Sequence, residues 1–237
     1  MTHQYDLIIK SGRVFCGADQ PSRIAHLGIR DGVVAAISET PIDEQGARVI
    51  DAADQWVMPG FIDTHTHYDA EVIVSPGLNE SVRHGVTTVL TGSCSLSMVH
   101  GDALDSADLF SRVEALPYQP VLDILTEKKQ WVDASGWVSQ LNGSPLGPNV
   151  ASMLGHSDIR AHVMGLGRAT SSAERPSKAE QAKMAELLGQ ALDTGFLGLS
   201  TMTNRWDKLA GSRYRSRSLP STYATWREYG ALHRVLG

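Results

Sequence analysis

Four apolar segments in the second part of the chain alternate with stretches of helical character, and this alternation restricts the fold more than any other feature. The segments are WVMPGFID, VTTVLTG, NVASMLG and GFLGLST. Each is short and almost continuously apolar, as expected of a strand that is buried on both faces. Strands that alternate with helices form a parallel sheet with crossover helices. The sequence therefore predicts an α/β fold with about four strand–helix units.

The predicted crossover helices have recognisable boundaries. The clearest one begins at Ser177, which forms a capping box with Glu180, and it ends at Gly195. Its apolar residues recur at helical spacing: Met184, Leu187, Leu188, Ala191 and Leu192. Asp102 is the predicted cap of a helix in ALDSADLFSRVEAL. The remaining helical stretches are SPGLNESVRHG, ILTEKKQWVDASGWVSQL and TYATWREYGALHRVL.

The first 56 residues have a different pattern. They contain short alternating segments separated by turn signals such as Asp31-Gly32: YDLIIKSG, RVFCG, IAHLGIR, VVAAISE and ARVIDAA. We therefore expect a small β-module over residues 1–56 and a (β/α) domain over 57–237. Four units are half of a (β/α)8 barrel, which takes about 250 residues on its own. The second domain is thus either an incomplete barrel or another α/β arrangement.

Two histidines follow the first apolar segment, in GFIDTHTHYD. Side chains alternate along an extended chain, so His65 and His67 point to the same side. Imidazole is the commonest protein ligand for zinc, and Asp69 could accept a hydrogen bond from its second nitrogen. Two ligands are too few for zinc, which normally has four. Two surface histidines without a ligand role are therefore the alternative, unless other ligands come from elsewhere.

A third candidate ligand follows the second apolar segment, in TGSCSLS. Parallel strands bring their carboxyl ends to one edge of a sheet, so Cys94 is predicted to lie beside the two histidines. A lone cysteine after an apolar strand is ordinarily a small buried residue. Beside convergent histidines, however, its thiolate is a strong zinc ligand that can also bridge two metals.

These segments resemble a known family. GFIDTHTHYD is similar to the first-strand signature of the amidohydrolase superfamily, and VTTVLTGSCS to the segment that carries the metal-binding cysteine of the N-acyl-D-amino-acid deacylase (D-aminoacylase) family. LNGSPLGPNVASMLGHSDIR and ALDTGFLGLST resemble the third and fourth strand regions of that family. The resemblance covers essentially the whole chain and corresponds to the N-terminal half of the family's fold.

The resemblance implies a fold, a cofactor and a reaction. The fold is a TIM-type (β/α)8 amidohydrolase barrel preceded by a β-module that forms half of a small β-sandwich. The cofactor is Zn²⁺, with one ion held tightly by Cys94 and a second, weaker site at His65 and His67. The reaction is hydrolysis of the amide bond of N-acyl-D-amino acids. LGLSTM contains no lysine, which argues against relatives that bridge two metals with a carboxylated lysine, such as hydantoinases.

The resemblance also implies residues that these 237 do not contain. The family has further histidine ligands on strands five and six and a general-base aspartate on strand eight, which would lie beyond Gly237. The expectation is therefore a truncated chain with no catalytic base of its own. Two alternatives stay open: another metal-dependent amidohydrolase that acts on cyclic amides, and a non-catalytic half-barrel that self-associates through its open side.

Three further residues are candidates for contact with a substrate. His156 ends the third apolar segment and faces the same edge of the sheet, where it either touches substrate or has a structural role. Arg213 and Arg215 lie in the arginine-rich stretch 204–218 after the fourth segment. Arginine pairs well with the carboxylate of an N-acyl amino acid. A solvated loop is the alternative for these arginines.

Charge and composition limit the partners. A net charge of -5 and 42% hydrophobic residues describe an ordinary globular protein without general attraction to nucleic acid or anionic membranes. The N-terminus lacks the apolar run of a signal peptide, and no segment is long enough to span a bilayer. Cys16 and Cys94 are too few for a disulfide scaffold. We therefore expect a cytoplasmic protein with reduced thiols that acts on a small molecule.

Overall fold

The computed structural model describes residues 4–17 and 19–237. The chain divides into two compact units, Met1–Gly60 and Phe61–Gly237. In its described residues, the first unit contains one five-stranded sheet. Its strands are β1 (Leu7–Val14), β2 (Arg23–Arg30), β3 (Val33–Ser38), β4 (Arg48–Asp51) and β5 (Trp56–Val57). The order is β3-β2-β1-β4, with β5 also paired to β1. Strands β2 and β3 are antiparallel neighbours, whereas β4 and β5 run parallel to β1.

Two strand predictions for this region are wrong in detail. YDLIIKSG and RVFCG belong to one strand, because β1 absorbs a bulge at Ser11, whose φ is 61°, instead of ending there. WVMPGFID is two strands: Trp56 and Val57 pair with β1 of the first unit, and the next strand begins at Phe61. Pro59 between them has no N–H to donate to a sheet. The turn at Asp31-Gly32 is confirmed, with φ values of 52° and 75°.

The second unit contains five parallel strands and nine α-helices in its described residues. Its elements are β6 (Phe61–Asp63), α1 (Glu71–Val74), α2 (Asn79–Arg83), β7 (Val86–Thr91), α3 (Ala103–Phe110), α4 (Tyr118–Lys128), α5 (Ala134–Asn142), β8 (Asn149–Ser152), β9 (Leu154–Gly155), α6 (His156–Met164), α7 (Leu166–Ala169), α8 (Lys178–Asp193), β10 (Leu199–Ser200), a 3₁₀ turn (Pro220–Tyr223) and α9 (Trp226–His233).

Within each sheet of the second unit, neighbouring strands are also consecutive along the chain. Strands β6, β7 and β8 form a parallel sheet, and β9 pairs in parallel with β10. The third predicted strand is therefore divided at Met153, where its pairing passes to the fourth. This is a mixed α/β architecture with partial sheets, whereas the half-barrel, the half-sandwich and the domain boundary after residue 56 stay predictions. Among the described residues, no helix has both the length and the apolar character that a membrane span requires.

The helix boundaries confirm the capping predictions. Asp102 accepts a hydrogen bond from the Asp105 N–H at 2.7 Å, and Ser177 and Glu180 form both bonds of the capping box. The stretch ILTEKKQWVDASGWVSQL, however, contains two helices, because the chain is extended at Lys129 and α5 begins anew behind its own cap, Asp133. The apolar stripe of α8 is buried against Trp131, Trp137 and Leu154, so this helix covers the sheet.

A buried ionic cluster fastens α9 to α6. Oε1 of Glu228 lies 2.9 Å from Nε2 of His156 and 2.9 Å from Nε of Arg160, and all three side chains are excluded from water. Burial raises the pKa of Glu228, but the hydrogen bond from His156 and the charge of Arg160 outweigh burial and lower it. Burial is the main reason that the pKa of His156 is lowered. The cluster therefore consists of a carboxylate, a guanidinium and a neutral imidazole.

We predict that Glu228→Gln destabilises the second unit by about 3–5 kcal/mol, because the Arg160 charge would be left buried without its partner. The measurement is urea unfolding followed by tryptophan fluorescence. Glu80→Gln is the control, since Glu80 pairs with Arg83 on the surface and its loss should change stability by less than about 0.5 kcal/mol. Equal unfolding midpoints for the two variants would contradict this account of the cluster.

Candidate metal centre

Two histidines and one cysteine meet where two neighbouring strands end. His65 and His67 follow β6, which ends at Asp63, and Cys94 follows β7, which ends at Thr91. One ligand atom from each of the three lies within 4.8 Å of the others. Nε2 of His65 is 3.1 Å from Sγ of Cys94, and the two imidazole centroids are 5.3 Å apart. The structure thus brings together the three residues that the sequence analysis proposed as ligands.

The segment that carries the histidines is fixed by the residue between them. Thr66 is buried, and both its N–H and its hydroxyl donate to the carbonyl of Leu90 in β7, at 3.1 and 2.7 Å. Because side chains alternate along an extended chain, fixing Thr66 inward turns His65 and His67 to the opposite side. Hydrogen bonding of Thr66 to β7 therefore determines the direction of both imidazoles.

The segment that carries the cysteine has an unusual backbone. Cys94 and Ser95 have φ values of 53° and 68°, which non-glycine residues seldom adopt. Gly92, with a φ of 78°, also approaches Met153 so closely that a Cβ would lie 1.9 Å from the Met153 carbonyl oxygen. Residues 92–101, here called the cysteine loop, must therefore be held in place by contacts elsewhere in the structure.

A single buried carboxylate supplies four of these contacts. Asp158, at the start of α6, accepts from the Ser97 hydroxyl at 2.6 Å. It also accepts from three backbone N–H groups of the cysteine loop, those of Val99, His100 and Gly101, at 3.0, 3.1 and 2.7 Å. Four donors satisfy the acceptor sites of one carboxylate, so the charge can be buried. Asp158 therefore fixes the second half of the cysteine loop.

Serine hydroxyls hold the first half. Ser95 Oγ lies 2.7 Å from Ser157 Oγ, which donates to Ser221. The Ser95 N–H donates to Oγ of Ser200, and that hydroxyl donates onward to the Gly92 carbonyl. The sequence analysis did not identify Asp158 or these serines. The available signal was an acidic residue in the first turn of a helix that directly follows a strand.

The histidines have an acidic neighbour that the sequence analysis also missed. Glu114 Oε1 lies 3.3 Å from Nδ1 of His67, both side chains being about four-fifths buried. The contact lacks hydrogen-bond geometry, so Nδ1 of His67 is buried without a hydrogen bond among the described residues. Burial, followed by the charge of Asp207, raises the pKa of Glu114. Burial and the charges of Glu114 and Asp207 likewise raise the pKa of the Cys94 thiol.

These shifts indicate a site that attracts a cation. Burial and the neighbouring His65 lower the pKa of His67, which keeps its imidazole neutral and its lone pair free to coordinate. A positive ion near Cys94 would favour the ionised form of the Glu114 carboxyl, whose pKa burial raises. Two imidazoles and a thiol are the donor set that zinc prefers, and three protein ligands leave a coordination position open for substrate. The residues present therefore fit a zinc ion.

Asp69 does not have the contact expected of it. Its buried carboxyl accepts from the Gly92 N–H at 3.4 Å, and it makes no hydrogen bond to either histidine among the described residues. Burial raises its pKa to about 7. The Asp69 side chain therefore points into the core beneath the cysteine loop. Glu114 occupies the position beside a histidine that was predicted for Asp69.

The candidate substrate-binding residues are also placed differently. His156 is fully buried, with Nε2 on Glu228 and Nδ1 3.0 Å from the Thr201 hydroxyl, so the structural alternative applies to it. Arg213 is paired with Asp105 and Asp108, at 2.7 Å each, which neutralises its charge. Arg215 is exposed on the same loop. None of the three is brought to the metal-ligand cluster.

We predict that Asp158→Asn loosens the cysteine loop, because an amide cannot accept all four hydrogen bonds. Local opening should raise the rate at which Cys94 reacts with a thiol reagent by about tenfold. The measurement uses a Cys16→Ser background, since Cys16 is also a free thiol. Asp133→Asn is the matched control, because Asp133 only caps α5. An equal rate in the two variants would show that Asp158 does not hold the loop.

Comparison with known proteins supports the assignment of a metal-dependent hydrolase fold. Residues 48–229 match the Amidohydrolase family. An uncharacterized protein of Mycobacterium tuberculosis is 55% identical over 236 residues, which are 99% of this chain and 39% of that protein. The N-acyl-D-aspartate deacylase of Alcaligenes xylosoxydans xylosoxydans is 34% identical over 203 residues, 84% of this chain and 37% of that enzyme. The chain thus spans about two fifths of the length of these relatives.

A solved structure supports the same relationship at the level of the fold. The crystal structure of N-acyl-D-glutamate deacylase from Bordetella bronchiseptica, complexed with zinc and a phosphonate inhibitor that mimics the tetrahedral intermediate, superposes with a TM-score of 0.75. Its sequence identity is 29%, and the match covers 98% of this chain and 43% of that one. The resemblance noted in the sequence is therefore confirmed: the chain belongs to the amidohydrolase family, and N-acyl-D-amino-acid deacylases are among its relatives.

Proposed function

We propose that this chain supplies the metal-holding part of a zinc-dependent deacylase that cleaves N-acyl-D-amino acids to a carboxylate and a free D-amino acid. The observation that carries the proposal is the convergence of His65, His67 and Cys94 within 4.8 Å at the ends of β6 and β7. Relatives named for the deacylation of N-acyl-D-aspartate and N-acyl-D-glutamate support the choice of substrate class.

His65, His67 and Cys94 would hold the zinc. One ion would be held tightly through Cys94, and a second, weaker ion would be held at the histidines. When bound, zinc acts as a Lewis acid that polarises the amide carbonyl and lowers the pKa of the attacking water. This chemistry suits amide hydrolysis, whose rate depends on charge stabilisation at the carbonyl oxygen.

The chain's own residues prepare the ligands for this role. Cys94 must lose its proton on metal binding, and that proton leaves to solvent because both imidazoles must stay neutral to coordinate. Nε2 of His65 already lies 3.1 Å from the sulfur, so the two donors need little movement to share one ion. Glu114 lies against the second histidine and favours the imidazole orientation in which Nδ1 faces the carboxylate. Asp158 and the serine hydroxyls hold the cysteine loop ready before the metal arrives, so little ordering entropy is lost on binding.

We predict about one zinc per chain in the purified protein and its loss in Cys94→Ser, with zinc affinity reduced at least about tenfold. Because the pKa of Cys94 is raised in the metal-free state, a proton is released at neutral pH, and affinity should rise as pH increases from 6 to 8. Elemental analysis and competition with a chelator at each pH provide the measurement. Cys16→Ser is the control; parallel zinc loss from both variants would refute a role for Cys94.

The substrate class has its own test. We expect zinc-dependent release of free amino acid from N-acetyl-D-amino acids, with the L enantiomers at least about tenfold slower. The assay uses the protein translated from the full reading frame that contains these 237 residues, with and without zinc. Cyclic amides such as hydantoins are the comparison substrates. A preference for L substrates would exclude the D-deacylase proposal, and a preference for cyclic amides would assign the site to a different amidohydrolase reaction.

A further inference from the structure

A cavity of about 540 Å³ lies beside the end of the cysteine loop. Its lining includes the last residues of that loop, the first turn of α3, the segment 129–132 and the middle of α6. None of the three ligands of the candidate metal centre lines it. The cavity is therefore a separate feature of the second unit.

Two imidazoles meet in this cavity. The ring centroids of His100 and His162 are 5.4 Å apart, and the ring planes are inclined by 37°. The corresponding centroid separation for His65 and His67 is 5.3 Å. With zinc–nitrogen bonds of about 2.0–2.1 Å, two imidazoles on one tetrahedral ion have centroids roughly 5 Å apart. The separation of the two rings therefore suits coordination of a single ion.

The ring of His100 is already in the state that a metal ligand requires. Its Nδ1 lies 3.3 Å from the carbonyl oxygen of Val132, which can only accept, so Nδ1 carries the proton and Nε2 has a lone pair. Nε2 is buried and has no hydrogen-bond partner among the described residues, and His100 as a whole is 6% exposed. Metal-binding histidines characteristically donate their second nitrogen to a carbonyl or a carboxylate in this way. Nε2 of His100 is thus a nitrogen donor that the fold itself leaves unused.

Asp158 determines where both imidazoles lie. Its carboxylate accepts from the backbone N–H of His100 at 3.1 Å. His162 follows Asp158 by four residues, so the two side chains project from the same face of α6, one turn apart. On the opposite side, the indole of Trp131 donates to the cysteine loop at 2.8 Å and holds the segment that contains Val132. The pair is therefore fixed from two directions.

The charges around the pair permit a cation. Burial lowers the pKa of His100, although the charge of Asp158 raises it, so this imidazole stays neutral and free to coordinate. Lys129 lines the same cavity, but its ammonium donates to two carbonyls at 3.2 and 2.7 Å, and the carboxylate of Asp102 in the same lining offsets its charge. His162 is exposed, so the cavity reaches the surface and a bound ion can keep water ligands.

We propose that His100 and His162 form a separate binding site for a divalent transition-metal ion, with zinc as its probe. Nε2 of His100 and the imidazole of His162 would be the protein ligands, and water or the carboxylate of Asp102 would complete the four ligands that zinc normally has. An ion bound to both rings would link α6 to the end of the cysteine loop. The proposal does not depend on the deacylase function, because neither histidine belongs to the candidate metal centre.

The test measures zinc binding by equilibrium dialysis in a His67→Ala/Cys94→Ser background, which lacks two ligands of the candidate metal centre. We expect about one zinc per chain, and His162→Ala should weaken its binding at least about tenfold. Because His162 is exposed on a helix, where alanine is favourable, this variant should fold normally. His84→Ala is the matched control, since His84 is an exposed histidine beside a single carboxylate, that of Glu80, and its loss should leave zinc affinity unchanged.

The chain with its candidate metal centre intact gives a second measurement. At zinc concentrations that saturate both sites, His162→Ala should bind one zinc fewer per chain, and zinc should raise its urea unfolding midpoint by less than that of the parent. Three outcomes would overturn the proposal: no zinc bound by the background protein with native circular dichroism, equal zinc affinity with and without His162→Ala, or an equal loss of zinc in His84→Ala.

Discussion

The buried carboxylate of Asp158 is the interaction on which the candidate site depends most. The cysteine loop has two consecutive non-glycine residues with positive φ, and such a backbone persists only where surrounding contacts fix it. Asp158 supplies four of those contacts from one side chain, and each is a hydrogen bond to a charged acceptor. Since Cys94 lies in this loop, the position of its sulfur relative to the histidines depends on where α6 places Asp158 and Ser157.

The same helix also determines the other side of the site. Ser157 bonds to the hydroxyl of Ser95 and to Ser221, while His156 and Arg160 bind Glu228 of α9. Consecutive residues of one helical turn thus hold the cysteine loop in one direction and the C-terminal helix in the other. Polar groups excluded from water must be satisfied by one another, so moving α6 would break both sets of bonds at once. This arrangement makes α6 a positioning element for the candidate metal centre and not a source of its ligands.

The sequence predicted features that depend on local spacing and missed those that depend on distant parts of the chain. Alternating apolar segments identified the strands, the capping box located α8, and strand ends located His65, His67 and Cys94. Glu114 lies 47 residues after His67 in the sequence, and Asp158 lies 64 residues after Cys94. No rule based on local spacing connects residues so far apart in the chain. The prediction for Asp69 failed for the same reason. Alternation of side chains predicted which face of the chain Asp69 occupies, but not that its side chain is buried in the core.

The surroundings of the sulfur and imidazole donors favour a positive ion. Burial and the charges of Glu114 and Asp207 raise the pKa of the Cys94 thiol, so its thiolate forms more readily when a cation lies beside it. Burial and the neighbouring His65 lower the pKa of His67, so that imidazole keeps a lone pair for coordination. The ionisation of Cys94 is therefore coupled to the arrival of a cation, and the same coupling makes the affinity for that cation depend on pH.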